Sequence, residues 1–171
     1  MYLDIVILSH LQGGPVHGYE LKRNVAETTA FALHNNTLYP ALRRFEEAGA
    51  VTKTAEQQEG KPPRHVYALT DIGRELLHDM LADLPPELAG DESEFLTRVG
   101  QFEQLTPDER RRVLAARAQA LRARAGHMRQ LAQKTERSAH HRHWGGVVVA
   151  ELAGRIEREL AWIARLTEDV G

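Results

Sequence analysis

The sequence contains no cysteine, so neither a disulfide framework nor a thiolate metal site is possible. No apolar run approaches the roughly 20 residues needed to span a bilayer, and Val147-Val148-Val149 is far too short. The N-terminus lacks the basic, apolar, small-residue succession of a secretory signal, which makes the cytoplasm the expected location. A basic excess is also missing: the formal charge is −2, and up to Leu84 acidic residues outnumber basic ones. Nucleic-acid binding, if present, must therefore rest on a few well-placed cations rather than on bulk charge. Catalytic signatures are absent too, with no Gly-x-Ser-x-Gly, no His-Glu-x-x-His, and carboxylates scattered along amphipathic helices. Gly13-Gly14 is not followed by Gly-Lys-Ser/Thr, so it reads as a turn rather than a nucleotide loop, and no cofactor motif is legible.

What is present is enough apolar residue, 42% of 171, for one large core or two small ones. Leu3, Ile7 and Leu11, widened by Ile5, Val6 and Leu8, predict a first helix buried over a broad face and ended by Gly13-Gly14-Pro15. His17-Gly18-Tyr19-Glu20-Leu21 opens a second, short helix. Pro40 is tolerated in a first turn but not in a helix interior, so a third helix is expected to start near Asn36 or Thr37, either of which can cap it. Leu38, Leu42 and Phe45 then point inward, leaving Tyr39, Pro40, Arg43, Arg44 and Glu47 on or beside the outer face, and Gly49 stops the helix. From Ala50 the period becomes two, giving strands around Val51–Thr54 and Val66–Leu69 joined by a polar tip with Gly60, Lys61 and Arg64. Thr70 caps a fourth helix with core positions Ile72, Leu76, Leu77, Met80, Leu81 and Leu84.

Pro85-Pro86 and Gly90 separate an N-terminal domain, residues 1–85, from a helical region, residues 91–171. In the latter, Ser93 is a candidate cap for a helix through Phe95, Val99 and Phe102, and Thr106-Pro107-Asp108-Glu109 is a capping box. Leu114, Ala118, Leu121, Ala125, Met128, Ala132 and Thr135 alternate four and three apart as a heptad seam, and Val148, Leu152, Ile156, Leu160 and Ile163 form the stripe of a last helix. An antiparallel helical hairpin or interchain bundle is expected.

His17-Gly18-Tyr19-Glu20-Leu21, then Thr37-Leu38-Tyr39-Pro40-Ala41-Leu42 running on to Gly49, then Gly60-Lys61-Pro62-Pro63-Arg64 leading to Tyr67-Ala68-Leu69-Thr70 and Gly73, stand in one order. With these pieces the chain resembles the PadR family of winged helix-turn-helix transcriptional regulators, in its form with a long helical C-terminal region. The resemblance implies a mainly α fold with a small two-stranded β-wing: an N-terminal winged helix-turn-helix followed by a C-terminal helical dimerisation domain. It further implies a homodimer that presents two winged helices to a pseudo-palindromic operator in double-stranded DNA, usually as a repressor and sometimes released by a phenolic or drug-like effector. Asn36 stands where the family commonly has glycine, and Phe45 where leucine is usual.

On this reading the candidate DNA-binding residues are Tyr19, Asn36, Thr37, Tyr39, Pro40, Arg43, Arg44, Lys61 and Arg64. Asn36, Thr37 and Tyr39 lie nearest base edges if the third helix enters the major groove, Arg43 and Arg44 suit phosphates, and Lys61 and Arg64 suit the backbone or a narrow minor groove. Tyr19 is either a phosphate-side residue or core. Trp144 and Trp162, 18 residues apart, share a face of one continuous helix unless Gly145-Gly146 interrupts it. They either line a cavity for a small aromatic effector or act as packing anchors. His140-His141-Arg142-His143 lacks the partners of a metal site, and the arginines Arg110, Arg111, Arg112, Arg117, Arg122, Arg124 and Arg129 read as the wet face of a long helix. A protein-binding adaptor built on the same winged fold is the alternative of a different class.

Overall fold

The computed structural model describes residues 2–29, 35–58, 61–136 and 142–170. They form two compact units, Met1–Leu81 and Ala82–Gly171. Among the described residues, no helix is long and apolar enough to cross a membrane.

The first unit is built on α1 (Tyr2–Leu11), whose Ile5, Val6, Ile7 and Leu8 are four consecutive buried residues. A helix buried on so wide an arc needs partners on several sides, and they follow in the chain: β1 (Val16–His17), α2 (Gly18–Thr29), α3 (Asn35–Glu47), the hairpin β2 (Val51–Gln58) and β3 (Lys61–Leu69), and α4 (Asp71–Ala82). Leu21 and Val25 of α2, Leu38, Ala41, Leu42 and Phe45 of α3, Tyr67 and Leu69 of β3, and Leu77 and Leu81 of α4 complete the core.

The sheet has three antiparallel strands in the order β1-β3-β2, so the expected two-stranded wing is extended by one short strand. Val16 pairs with Tyr67 and His17 with Val66. Two residues carry no readable alternation, which is why His17 looked like the opening of a helix rather than the end of a strand. The hairpin register runs from Val51 opposite Leu69 to Glu56 opposite Arg64, with an irregularity before Gln58.

Helix α3 ends in a Schellman arrangement: Ala50 N donates to Phe45 O at 2.8 Å and Gly49 N to Glu46 O at 3.0 Å, with Gly49 at φ 72. Its start differs from expectation, since Asn35 opens the helix and Pro40 falls in the second turn. Proline has no N–H to give the Asn36 carbonyl, so this end of the helix is held by its buried face rather than by its own ladder. Thr70 then caps α4, accepting from Gly73 N at 3.0 Å, while its hydroxyl donates to Gly49 O at 2.7 Å. Of the residues expected in the α4 core, Ile72 is 57% exposed. Leu84 is buried, but with the core of the second unit.

The second unit comprises α5 (Glu92–Val99), a short 3-10 turn (Phe102–Gln104), α6 (Pro107–Glu136) and α7 (Arg142–Asp169). The cap of α5 is Asp91 rather than Ser93: its carboxylate accepts from Ser93 N at 2.7 Å and Glu94 N at 3.2 Å. The Thr106–Glu109 capping box forms as read, with Thr106 N donating to the Glu109 carboxylate at 2.9 Å. Leu114, Ala118 and Leu121 of the seam are buried against Ile156 and Ile163, with Ala125, Met128 and Leu160 partly buried beside them. The Ala132 and Thr135 side chains lie outside the described residues, and Val148 of the last stripe is exposed.

Arg117 overturns the reading of a purely wet basic face on α6. Arg117 is buried, its Nε and Nη2 donating to Glu159 at 2.7 and 3.1 Å and its Nη1 to Ala89 O at 2.9 Å. Arg98 is buried too, bonded to the Glu94 carboxylate at 2.8 Å and to Asp83 O at 3.0 Å.

Gly73 sits where α4 crosses the start of β2. A β-carbon added there would lie 2.1 Å from the Ala50 carbonyl oxygen and 2.6 Å from Leu69 Cδ1. Gly73→Ala is therefore expected to lower unfolding stability by about 3 kcal/mol despite the better helix propensity of alanine. Urea denaturation checks this, and an unchanged or raised midpoint would show that α4 is free to retreat.

His10 of α1 donates from Nε2 to Thr28 Oγ1 at 2.9 Å, the Thr28 hydroxyl being committed to Asn24 O at 3.0 Å. Burial lowers the His10 pKa from its ordinary value of 6.5. The unfolded chain thus binds a proton before the folded one, so this residue costs stability as pH falls below about 6.5, and the loss levels off below the folded value. His10→Gln is expected to flatten that part of the stability profile, measured by thermal melts between neutral and mildly acidic pH; an unchanged slope would refute the assignment.

Candidate nucleic-acid interface

Helix α3 divides cleanly by burial. Leu38, Ala41, Leu42 and Phe45 face the core, while Asn36, Thr37, Tyr39, Pro40, Arg43 and Arg44 are exposed. The 3.6-residue period alone accounts for this split once Leu38 and Leu42 are anchored inside. Tyr39 remains 40% exposed, yet its ring leans on the start of α2, where a β-carbon on Gly18 would meet Tyr39 Cε1 at 3.5 Å and Tyr67 Cε2 at 3.1 Å. A β-carbon at Gly18 would press on Tyr67 and only touch Tyr39. Burial holds the Tyr67 phenol above its ordinary value, with Tyr39 and Glu46 adding in the same direction.

The two arginines of α3 are not equivalent. Arg43 is exposed and makes no ion pair among the described residues. Arg44 reaches back to α1, Nη2 to Asp4 Oδ1 at 2.8 Å, with its guanidinium 5.8 Å from the centre of the Phe45 ring. Part of the Arg44 charge is thus spent holding α3 to α1.

Beside α3 stands the hairpin. Arg64 on β3 is exposed and lies 5.5 Å from the centre of the Tyr19 ring, the first turn of α2. Tyr19 is 56% exposed, so of its two readings the core one is set aside. The His17 ring is stacked on the Tyr19 ring at 5.8 Å and 20°, and His17 Nε2 is 3.7 Å from Glu56 Oε2. From sequence, His17-Gly18-Tyr19 reads as a helix N-terminus whose amides suit a phosphate, and neither the His17 ring nor Glu56 carries a role. Their signal was the opposite charge at Glu56 and Arg64, which becomes informative only when the strand register is known. Gly60 and the Lys61 side chain, both expected at the wing tip, lie outside the described residues, as do His140 and His141 of the histidine run.

In the second unit α7 runs through Gly145-Gly146 without a break, so Trp144 and Trp162 do share one helix. They are nevertheless about 27 Å apart along its axis at 1.5 Å per residue. Trp144 is 75% exposed, whereas Trp162 packs edge to face on Phe95 at 5.9 Å. The two indoles therefore line no common cavity within one protomer. Trp162 does border a groove of about 570 Å³ with Leu121, Leu152 and Ile156 as apolar wall and Arg124 and Arg155 at the rim.

Three helices with a buried-face, exposed-face third member, followed by an antiparallel hairpin, define a winged helix-turn-helix. The transcriptional regulator PadR-like family matches residues 7–79, from the middle of α1 into α4. The chain is 30% identical to the negative transcriptional regulator PadR of Bacillus subtilis (strain 168), over 46% of this chain and 44% of that protein. It is 32% identical to an uncharacterized 37.1 kDa protein in transposon TN4556 of Streptomyces fradiae, over 72% of this chain and 35% of the other. Among solved structures, a padr family transcriptional regulator from Eggerthella lenta DSM 2243 is 34% identical, over 47% of this chain and 69% of that one, with a TM-score of 0.43. The chain spans less than half the length of the curated relatives it matches. It belongs to the PadR-like family of transcriptional regulators.

The Arg44–Asp4 contact is half in solvent, with the arginine 62% and the aspartate 23% exposed. Screening keeps such a pair to less than about 1 kcal/mol, so Asp4→Asn is expected to shift the urea midpoint only slightly. A loss of several kcal/mol on denaturation would mean that the pair, rather than the buried leucines, fixes α3 on α1.

Proposed function

We propose that this protein is a cytoplasmic, homodimeric repressor that binds a pseudo-palindromic operator in double-stranded DNA and is released by a small aromatic effector. The observation that carries the DNA reading is the outward face of α3: Asn36, Thr37, Tyr39, Pro40 and Arg43, which makes no ion pair among the described residues, are exposed together on a helix whose opposite side is buried. A helix held this way enters a major groove with its N-terminal residues at the base edges. Asn36 and Tyr39 then read sequence, Thr37 and Pro40 make close contact, and Arg43 anchors a phosphate, with Arg44 a second anchor when it leaves Asp4. Arg64 and Lys61 carry the wing cations, and Tyr19 stands beside Arg64. This placement answers the acidic net charge of −2, because binding needs only these few cations on one face. The name of the Bacillus subtilis relative, a negative regulator, supports repression.

Dimer formation is supported by the exposed apolar residues Trp144, Val147 and Val148 of α7, which a second copy would cover. The groove beside Trp162 has the volume of a small-molecule site, and its apolar wall with arginines at the rim suits a flat aromatic ligand. On this reading Trp162 contacts effector, and Trp144, remote on the same protomer, contributes to the partner or to its groove.

Mobility shift of the purified protein on fragments of its own upstream region, at two salt concentrations, tests the proposal. Saturable binding that weakens steeply with salt is expected. Arg43→Ala is expected to weaken binding on all sequences alike, whereas Asn36→Ala and Tyr39→Ala change the preferred sequence. Absence of binding at low salt, from folded and dimeric protein, would refute the reading and favour a protein-binding adaptor.

A further inference from the structure

The wing carries two opposite charges at positions where they would be expected to cancel. Glu56 and Arg64 are directly paired across β2 and β3, so their side chains leave the same face of the sheet. Among the described residues they form no ion pair with each other. Instead Glu56 Oε2 stands 3.7 Å from His17 Nε2, and the Arg64 guanidinium stands 5.5 Å from the centre of the Tyr19 ring. His17 and Tyr19 are stacked on one another, which places both partners at one spot on the sheet edge. An aromatic ring left 56% exposed contributes little to a core, so packing does not account for Tyr19.

We propose that His17 and Tyr19 are positioning residues that hold Glu56 and Arg64 apart and so keep Arg64 available to a DNA phosphate. This rests on the DNA-binding reading above. The physical basis is which part of the guanidinium each partner occupies. An ion pair with Glu56 would occupy up to two of the five guanidinium N–H donors along one edge and offset the charge that attracts a phosphate. Attraction to the Tyr19 ring consumes none of them, while still fixing where the charge sits. An exposed cation–π contact and an exposed ion pair are comparable in strength, so one aromatic residue is enough to decide which Arg64 makes. His17 acts from the other side by giving the Glu56 carboxylate a nearer partner. The strand pairing of His17 with Val66 ties that partner to the same strand that bears Arg64.

The test compares Tyr19→Phe, Tyr19→Leu, Arg64→Ala, Glu56→Gln and Tyr19→Leu/Glu56→Gln in the full chain. Binding to a labelled mixed-sequence duplex at low salt is measured by anisotropy, and the Arg64 Nε–H resonance is followed by NMR without DNA. Tyr19→Phe keeps the ring and is expected to bind within about twofold of the unaltered protein, while Tyr19→Leu is expected to fall roughly fivefold, close to Arg64→Ala, with the salt slope reduced by about one phosphate. Glu56→Gln is expected to raise affinity more in the Tyr19→Leu background than in the unaltered protein, because only there does Glu56 hold Arg64. The Arg64 resonance is expected to be shifted upfield by the ring in the unaltered protein and Tyr19→Phe, and to lose that shift in Tyr19→Leu. Equal gains from Glu56→Gln in both backgrounds, a Tyr19→Phe as weak as Tyr19→Leu, or no ring shift on Arg64 would each overturn the proposal. If the ring shift is present but the unaltered protein binds no duplex, the DNA-binding reading falls and the phosphate role of Arg64 falls with it.

Discussion

The first unit depends on one threonine. The Thr70 hydroxyl donates to Gly49 O and accepts from Gly73 N, and the Thr70 amide donates to Ala50 O at 3.1 Å. Those three bonds join the end of α3, the start of β2, the end of β3 and the start of α4 at a single point. Each is worth only about 1 kcal/mol net, but together they tie α3, the hairpin and α4 at one shared base. The close approach requires two glycines for two different reasons. Gly49 adopts a left-handed φ of 72 that closes α3, and Gly73 lets the α4 backbone lie against the Ala50 carbonyl.

With that base fixed, the exposed face of the unit becomes a matter of sorting charge. The chain is acidic overall, so each cation near α3 and the hairpin matters individually. Arg44 is drawn back to Asp4, Arg64 is drawn onto Tyr19, and Arg43 is left open to solvent. Neighbouring acids are not removed from the surface. Glu56 stands 3.7 Å from His17 Nε2, although the sheet register places it directly opposite Arg64.

The second unit solves the converse problem, since Glu94, Arg98 and Arg117 are all buried. Burying a guanidinium is costly unless every bond is met at good geometry. Arg117 meets that cost with a two-pronged contact to Glu159, the Ala89 carbonyl and the face of Phe95 at 5.5 Å. Arg98 meets it only in part, bonding the Glu94 carboxylate and the Glu94 and Asp83 carbonyls, while its buried Nη2 has no hydrogen-bond partner among the described residues. Both arginines thus bind backbone in the segment between α4 and α5, a stretch whose Leu84 and Ala89 are also buried. A segment marked by prolines and a glycine, read as a boundary, is in fact strapped to the helical core that follows it.

Periodicity and punctuation were enough to determine a great deal. Leu38, Leu42 and Phe45 announce the inner face of α3, Gly49 its end, Thr70 the cap of α4 and Thr106–Glu109 the start of α6, because each acts through neighbours within one or two turns of chain. Apart from local slips such as Asp91 rather than Ser93 capping α5, what the sequence does not show depends on residues distant in sequence. The strand at Val16–His17 exists only because β3 is there to pair with it. Arg117 is buried only because Glu159, 42 positions on, accepts its charge. Trp144 and Trp162 share a helix face as spacing required, yet the burial of one and exposure of the other follow from where Phe95 lies. Local bonds are written in local sequence, whereas the partner of a charge or a ring is chosen by the packing of elements, and only the tertiary structure decides it.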